Sequence, residues 1–420
     1  MLPEQFGVSG TPYMEKKQEI ELYLHLPFCV KKCAYCDFLS FPSGAETQTA
    51  YVEALKREIR AFFAEIEETE GAEYCLRSVF IGGGTPSLLP AEQIAGILTE
   101  IRSDLPGAVS MGEPCEITIE ANPGTLDLQK LSLYRNSGIN RISIGCQSAN
   151  DRELKVLGRI HSFADFQKSF RLAREAGFEN INVDLMAGLP GQTRQSWEKT
   201  LRTVAERGPE HISAYSLILE EGTPLFRRYA GKDAKDAVPP LPDEEAEREM
   251  YHRTEEILRE YGFCRYEISN YAKPGYESLH NIGYWNGTLY KGFGLGAASL
   301  LPGSGLSFGG TTEGTGEIRL RVRNTEDLNR YLNNPSSCSH VEERLTVKDQ
   351  MAEFMILGFR MIRGVSLWEF RERFDRDLED VYGSVLQKQQ SEGLLEKSGG
   401  RLRLTERGLD LANLVMEEYL

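Results

Sequence analysis

The sequence predicts an α/β protein: a partial (β/α)6 TIM-like barrel, then a small α+β region and a C-terminal winged-helix-like domain. Three observations carry this expectation. Six short runs rich in β-branched residues each end in Gly, Pro and polar residues, and the first five lead into helical stretches, as repeated βα crossovers in a parallel sheet require. A proline-bearing segment at 231–242 and an Asn/Ser-rich one at 333–340 then interrupt the pattern. The final stretch reads helix, helix, helix, β-wing, helix.

In chain order, the first strand runs from Glu21 to Pro27 and empties into a loop holding Cys29, Cys33 and Cys36. Thr47 to Thr69 places Tyr51, Leu55, Ile59, Phe62, Phe63 and Ile66 at helical spacing, with Thr47 or Thr49 as its cap. Ser78 to Ile81 reads as a buried strand stopped by Gly82-Gly83-Gly84-Thr85-Pro86, and a helix follows from Pro90 to Ser103. The unit recurs from strands at Glu116–Glu120, Arg141–Gly145 and Asn180–Met186, and a sixth strand runs from His211 to Leu219. Six units fall short of the eight of a closed barrel, so an open, partial barrel is preferred to a doubly wound sheet. In either arrangement the polar residues that follow the strands gather at the C-terminal rim, where the cysteines also fall.

Asp243 opens a charged helix to Tyr261 with Ala246, Met250, Ile257 and Leu258 as its buried stripe. Phe263 to Ser269 alternates like a strand, Asn270 to Trp285 reads as loop, and Gly292 to Gly316 reads as glycine-rich hairpins. Within the last, Gly292 to Ala297 lacks a full G-x-G-x-x-G and reads as close backbone packing. Further helices are expected around Lys348–Arg363, Leu367–Phe374 and Leu378–Glu392, before a hairpin ending at Thr405. The expected divisions are an N-terminal extension at 1–20, the barrel at 21–230, a linker, helix and hairpin region completing the core at 231–340, and the winged-helix-like domain at 341–420.

With 40% hydrophobic and 26% charged residues, the 420-residue chain has ordinary globular values that exclude wholesale disorder. Its net charge of −15 repels phosphate backbones, so nucleic acid is not expected as a ligand. The winged-helix-like stretch does not reverse that sign, since Leu345 to Leu420 carries 11 Lys/Arg against 14 Asp/Glu. No apolar run reaches the ~20 residues of a spanning helix, and the first residues lack the apolar core of a signal peptide. A cytoplasmic location is expected. Eight cysteines in a reducing compartment do not make a disulfide framework, and Cys75, Cys115, Cys146, Cys264 and Cys338 are expected to be buried and inert.

The C-x3-C-x2-C spacing of Cys29, Cys33 and Cys36 offers three thiolates with no nearby fourth ligand, which suits a metal centre that keeps one position open. A [4Fe–4S] cluster held by three cysteines has such a position. The competing readings are a structural zinc site, which normally wants four ligands, and a disulfide-forming or reactive cluster.

The cysteine loop, with Tyr35 before its last cysteine, followed by GGGTP at Gly82–Pro86, resembles the radical S-adenosylmethionine (SAM) superfamily. HLPFC, CAYCDF, FIGGGTPSLL, EITIEANPGTL, GINRISIGCQS, LGRIH, DLMAGLPGQT, PEHISAYSL, YEISNYAKPG and HNIGYW extend the likeness over residues 25–285. They resemble the branch holding the oxygen-independent coproporphyrinogen III oxidases and the HemW-type heme chaperones. The resemblance implies a radical SAM barrel in which Cys29, Cys33 and Cys36 ligate a [4Fe–4S] cluster. SAM chelates its open iron, and a single electron cleaves SAM to a 5′-deoxyadenosyl radical. It further implies that Gly83, Gly84 and Thr85 meet the methionine part of SAM and that Tyr23 lies near cluster and cofactor. Glu120, Gln147, Arg159 and Asp184, polar groups at or after strand ends, are implied to hold the ribose and carboxylate. Arg159 can fork onto a carboxylate; the others can accept from ribose hydroxyls.

Two functions follow from the likeness: oxidative decarboxylation of coproporphyrinogen III to protoporphyrinogen IX, or heme binding and delivery. Oxidases of the branch carry another cysteine two residues after the third, where this chain has Phe38, and a longer segment ahead of Cys29 than the 28 residues here. The chaperones share H-N-x-x-Y-W, matched by His280-Asn281-Ile282-Gly283-Tyr284-Trp285. A heme chaperone is therefore expected, with His280 as an axial heme ligand and Tyr284 and Trp285 against the macrocycle. The implied partners are heme, heme-accepting apoproteins and an electron donor for the cluster. Peripheral association with membrane-bound haem proteins and a homodimer are compatible with this reading.

Overall fold

A computed structural model describes residues 17–69, 73–230, 239–303 and 318–420. The expected N-terminal extension lies almost wholly outside the described residues, as do most of the 231–242 linker and the distal part of the glycine-rich hairpins.

The first half of the chain alternates strand and helix: β1 (Gln18–Leu26), α1 (Ala45–Glu67), β2 (Tyr74–Gly83), α2 (Ala91–Ser103), β3 (Val109–Ala121), α3 (Leu128–Asn136), β4 (Arg141–Gln147), α4 (Asp151–Val156), α5 (Phe163–Glu175), β5 (Ile181–Ala187), α6 (Arg194–Ala205) and β6 (His211–Ser216). β1 to β6 pair in parallel, each with the next, as the six expected units. Side chains of period two divide them into two faces. Leu22, Leu24, Val79, Ile81, Ile117, Ile119, Ile142, Ile144, Ile181, Val183 and Ile212 are buried on one face and join the core with the helices. Tyr23, Phe80, Thr118 and Arg141 follow one another in register on the other face, as do Glu120, Ser143, Asn182 and His211 one step along. Alternation inside a parallel sheet marks an inner face that is not simply packed.

The chain continues through α7 (Pro224–Tyr229), α8 (Glu244–Glu260), β7 (Cys264–Arg265), β8 (Asn270–Ala272), α9 (Leu279–Asn286), β9 (Leu289–Phe293), β10 (Ala298–Pro302), β11 (Arg319–Asn324), α10 (Leu328–Asn333) and β12 (Ser339–Leu345). These strands extend the parallel core into one twelve-stranded sheet of order β12-β11-β10-β9-β1-β2-β3-β4-β5-β6-β8-β7. β9 joins β1 in parallel, whereas β10 to β12 and the β8-β7 pair add antiparallel edges. Helix α8 lies against α6, where the buried Trp197 Nε1 donates to Thr254 Oγ1 at 2.9 Å.

Local expectations differ in several places. Helix α1 starts after Gly44, so Thr47 and Thr49 lie inside it and no side chain caps it. The stripe of α8 buries Thr254 with Met250, Ile257 and Leu258, while Ala246 is half-buried. Of the expected strand at 263–269 only β7 forms; a turn then takes Glu267 into the interior and leads into β8. The segment read as loop holds α9, started by Ser278 capping Asn281 N and stopped at Gly287 in the left-handed region. In the GFGLGA run, Gly294 (φ 102°) lies against the His25 carbonyl and the Tyr51 hydroxyl, as close backbone packing requires. Cys146 and Cys338 are buried, Cys75 and Cys115 are half-buried, and Cys264 is exposed against expectation.

The C-terminal segment comprises α11 (Val347–Gly358), β13 (Val365–Ser366), α12 (Leu367–Phe374), α13 (Leu378–Ser391), β14 (Leu395–Ser398), β15 (Arg401–Leu404), α14 (Glu406–Asp410) and α15 (Ala412–Glu417). It has its own core around Met355, Phe359, Phe370 and Leu402, and a three-stranded sheet of order β13-β15-β14. Among the described residues no helix is long and apolar enough to cross a membrane.

Helix α9 plugs the N-terminal end of the inner face. Its Leu279 N donates to Glu116 Oε2 at 2.9 Å, and Gly283 packs directly on the buried Glu21 carboxylate, which a Cβ would strike. Gly283→Val is therefore expected to overpack this contact and lower stability by ~1–3 kcal/mol, read as a reduced urea midpoint.

Candidate metal centre and cofactor site

The cysteine loop leaves β1 through Pro27-Phe28 and is pinned on three sides. Cys29 N donates to Phe41 O at 3.1 Å, and Phe41 N donates to Pro27 O at 2.8 Å. At its centre, Ala34 N donates to Leu157 O at 3.0 Å and Ala34 O accepts from Leu225 N at 2.9 Å, so the segments beyond β4 and β6 hold the loop at the C-terminal rim. All three thiols are free and half-buried. Burial pushes the Cys36 thiol up, and the Phe38 N–H draws it back. Among the described residues no three ligating groups converge to hold one metal ion. A cluster whose irons each take one thiolate does not require that convergence.

Two hydrogen-bond donors reach the sulfurs, and Asn122 organises both. Its Nδ2 donates to Thr85 Oγ1 at 2.7 Å, which leaves the Thr85 proton for Cys29 Sγ at 3.5 Å. Its Oδ1 accepts from Arg159 Nη2 at 2.6 Å, while Arg159 Nη1 points to Cys33 Sγ at 3.6 Å. Arg159 Nη2 also donates to Gly145 O at 2.9 Å. A Cβ at Gly145 would meet Asn122 Oδ1 at 2.9 Å and Arg159 Nη2 at 3.2 Å, so a side chain there would displace the guanidinium. Donors and positive charge beside the sulfurs raise the potential of an iron–sulfur centre.

The GGGTP turn lies flat on the start of the cysteine loop. Gly84 N donates to Leu26 O at 2.9 Å and Thr85 N to Phe28 O at 2.8 Å. A Cβ at Gly84 would come within 2.7 Å of Phe28 O, and Gly83 holds φ 112°. Gly83 N in turn donates to Glu120 Oε2 at 3.1 Å. Gln147, the last residue of β4, holds φ 65° without being glycine, a strained conformation worth ~1–3 kcal/mol that the surrounding sheet must enforce.

Below this rim the inner face keeps polar side chains partly accessible. Tyr215 is 39% exposed, yet burial among protein atoms pushes its hydroxyl pKa up, as expected for a ring that lines an open interior. Tyr23, Glu120 and Asp184 are likewise only half-buried by surface yet deeply desolvated. Desolvation first, then the nearby Asp184, raises Glu120 to about 8. Asp184 is raised by burial and held by Ser143 Oγ at 3.0 Å and Asn182 Nδ2 at 2.7 Å. His25 Nε2 must donate to Leu39 O at 2.8 Å, so its Nδ1 accepts from the Tyr23 hydroxyl at 2.9 Å. The Tyr23 oxygen therefore turns lone pairs, not its proton, to other partners.

The structure thus brings Gly83, Gly84, Thr85, Glu120, Gln147 and Arg159 to the cysteine rim, with Tyr23 and Asp184 on the same inner face. His280 is elsewhere. It stacks on Phe80 at 4.9 Å beneath Tyr23, 1% exposed, with Nδ1 on Ser78 Oγ at 2.8 Å and Nε2 on Tyr284 OH at 3.2 Å. Burial lowers it to about 3 and raises the adjoining Glu21, so the two meet as neutral groups. The expectation of His280 as an axial ligand does not fit this placement, because both ring nitrogens are occupied and no macrocycle can approach. Trp285 does not stand open either, since Arg360 lies 4.2 Å over its ring. Asn122, His25 and Tyr215 were missed as site residues. Asn122 and His25 sit inside motifs already noted, but nothing in a single sequence separates them from turn and strand residues.

Residues 23–204 match the radical SAM superfamily and residues 345–411 the HemN C-terminal domain. Similarity to curated proteins spans nearly the whole chain. "Heme chaperone HemW" of Bacillus subtilis (strain 168) is 36% identical over 398 residues, covering 95% of this chain and 98% of that protein. The proteins of that name from Lactococcus lactis subsp. lactis (strain IL1403) and Escherichia coli (strain K12) are 35% and 34% identical, over 95% and 97% of this chain and 96% and 100% of theirs. The chain belongs to the HemW family of radical SAM proteins. Membership of the superfamily implies a [4Fe–4S] cluster and SAM. The HemW-family chain also shares the fold of coproporphyrinogen III oxidase (HemN) from Escherichia coli, with TM-score 0.75 and 22% identity over 96% of this chain and 90% of that one. The donor set here fits such a cluster: three free thiols in one loop, a hydroxyl and a guanidinium aimed at two of them, and a buried Arg159 Nε without a partner among the described residues.

Two outcomes are expected. Asn122→Ala frees both sulfur donors, so the midpoint potential of the reconstituted cluster shifts negative and SAM affinity falls by about tenfold, the scale of losing a supporting shell residue. Glu120 keeps a proton in the fold up to about 8 that the unfolded chain releases near 4.5, so its contribution to stability is complete below 4.5 and is lost as pH rises through 8. Urea midpoints of wild type should fall more steeply over that window than those of Glu120→Gln.

Proposed function

We propose that this protein is a heme chaperone that carries a [4Fe–4S] cluster on Cys29, Cys33 and Cys36, binds SAM beside it and delivers heme to apoproteins. The observation that carries the reading is the end-to-end similarity to proteins named heme chaperone HemW. Phe38, where oxidases of the branch carry a cysteine, supports delivery over porphyrinogen oxidation.

In this reading Arg159, already extended across Gly145 toward Cys33, holds the cofactor's carboxylate. Gly83 and Gly84 admit its methionine part against bare backbone, and Thr85 lies next to Cys29. Glu120, Gln147 and Asp184 offer oxygen acceptors toward ribose hydroxyls, and Tyr23 offers a lone pair fixed by His25. When bound, the cluster supplies one electron and an iron with an open position. An electron donor for the cluster, heme-accepting apoproteins, peripheral contact with membrane-bound haem proteins and a homodimer complete the proposal, in the cytoplasm.

The test runs two assays on one anaerobic, reconstituted sample. Hemin titration should develop a Soret band, and incubation of the reduced protein with SAM and coproporphyrinogen III should leave that substrate unconverted. Turnover to protoporphyrinogen IX at enzymatic rates would overturn the proposal. Cys33→Ala should lose the cluster's absorbance and its iron and sulfide.

A further inference from the structure

Four large apolar side chains of the barrel stand more than half exposed: Val30 at 58%, Phe38 at 69%, Ile160 at 68% and Ile218 at 69%. They are not scattered. Val30 and Phe38 lie beside Cys29 and Cys36, Ile160 follows Arg159, and Ile218 follows Leu217, whose N–H donates to Ala187 O at the end of β5. The Ala34 hydrogen bonds to Leu157 and Leu225 draw the same loops together, so all four side chains belong to one rim around the cysteine mouth. Exposed apolar groups gathered in one place mark a surface that receives something.

The rim also says what it receives. Lys31 and Lys32 stand exposed beside Val30, and among the described residues neither has an ion pair. Asp37, Glu220 and Glu221 are exposed nearby, so the rim is not a uniformly basic patch. On a chain of net charge −15, that disfavours an anionic bilayer and suits a small ligand with an apolar face and localised negative charge. With His280 sealed at the opposite end of the inner face, the mouth is where an apolar plate can approach.

We infer that this collar is the heme seat: Phe38, Ile160, Val30 and Ile218 take the macrocycle across the cysteine mouth, and Lys31 and Lys32 take the propionates. The inference rests on the chaperone reading and adds the location and the recognition chemistry. It places Phe38, the residue that departs from the oxidase pattern, in direct contact with the cargo.

Hemin and hemin dimethyl ester are titrated into full-length, cluster-reconstituted wild type, Phe38→Asp, Ile218→Asp and the Lys31→Glu, Lys32→Glu double variant. Each aspartate variant should bind hemin about tenfold more weakly with iron and sulfide content retained, since a carboxylate replaces apolar contact. The double lysine variant should weaken hemin about fivefold and leave the ester, which lacks the charges, nearly unaffected. If Phe38→Asp fails to load its cluster, Ile218→Asp, outside the cysteine loop, decides. Unchanged hemin affinity in Ile218→Asp overturns the seat while leaving the chaperone reading intact. Absence of hemin binding by wild type overturns both. Loss of self-association or of binding to vesicles of anionic phospholipid, with hemin affinity intact, reassigns the collar and also overturns the seat.

Discussion

The hydrogen bonds of one amide, Asn122, hold the rim together. Its two ends are not interchangeable here, because Arg159 can only donate and must meet Oδ1, which leaves Nδ2 to donate to Thr85. That orientation decides the direction of two further bonds. The Thr85 hydroxyl turns its proton to Cys29, and the Arg159 fork is set between Gly145 and Cys33. Asn122 follows β3, Thr85 follows β2 and Arg159 follows α4, so a single side chain ties three βα loops to a fourth that carries the thiols. Buried donors arranged this way meet developing charge without reorganisation, which is what a redox centre needs from its surroundings.

The sheet beneath supports that arrangement by separating two jobs by face. Apolar residues of period two secure β1 to β6 to their helices, and the opposite face is left for polar groups whose partners come from neighbouring strands. The cost appears as displaced protonation: burial pushes Glu120 and Asp184 toward the neutral form, and Asp184 adds to the effect on Glu120. Helix α9 closes the far end, where His280 and Glu21 meet as neutral partners and Arg360 of the C-terminal segment covers Trp285. The H-N-x-x-Y-W motif thereby joins the barrel floor to the C-terminal segment.

Much of this was legible in the sequence. The three cysteines, the glycine turn and the strand-end polar residues were readable because cofactor chemistry demands particular side chains at short spacing. Glu120 and Arg159 could be named as site residues, but their partners could not. Asn122 lies 37 residues from both Thr85 and Arg159, and no local pattern encodes those bonds. His280 shows the converse. A motif histidine invites a ligand role, and only its packing against Phe80, Ser78 and Tyr284 reveals that its nitrogens are already taken.

The sequence by itself determined the α/β class, the six βα units, the thiol triad and the family likeness, since these depend on composition, period and contiguous motifs. The tertiary structure alone decided that β9 docks on β1 and carries the sheet to twelve strands. It also decided that the cysteine loop is clasped at Ala34 and that the exposed apolar side chains of three separate segments share one rim. The reason is physical. Local structure is set by near neighbours along the chain, whereas strand order, buried polar pairing and surface patches depend on which distant segments pack together, and that is fixed only by the whole fold.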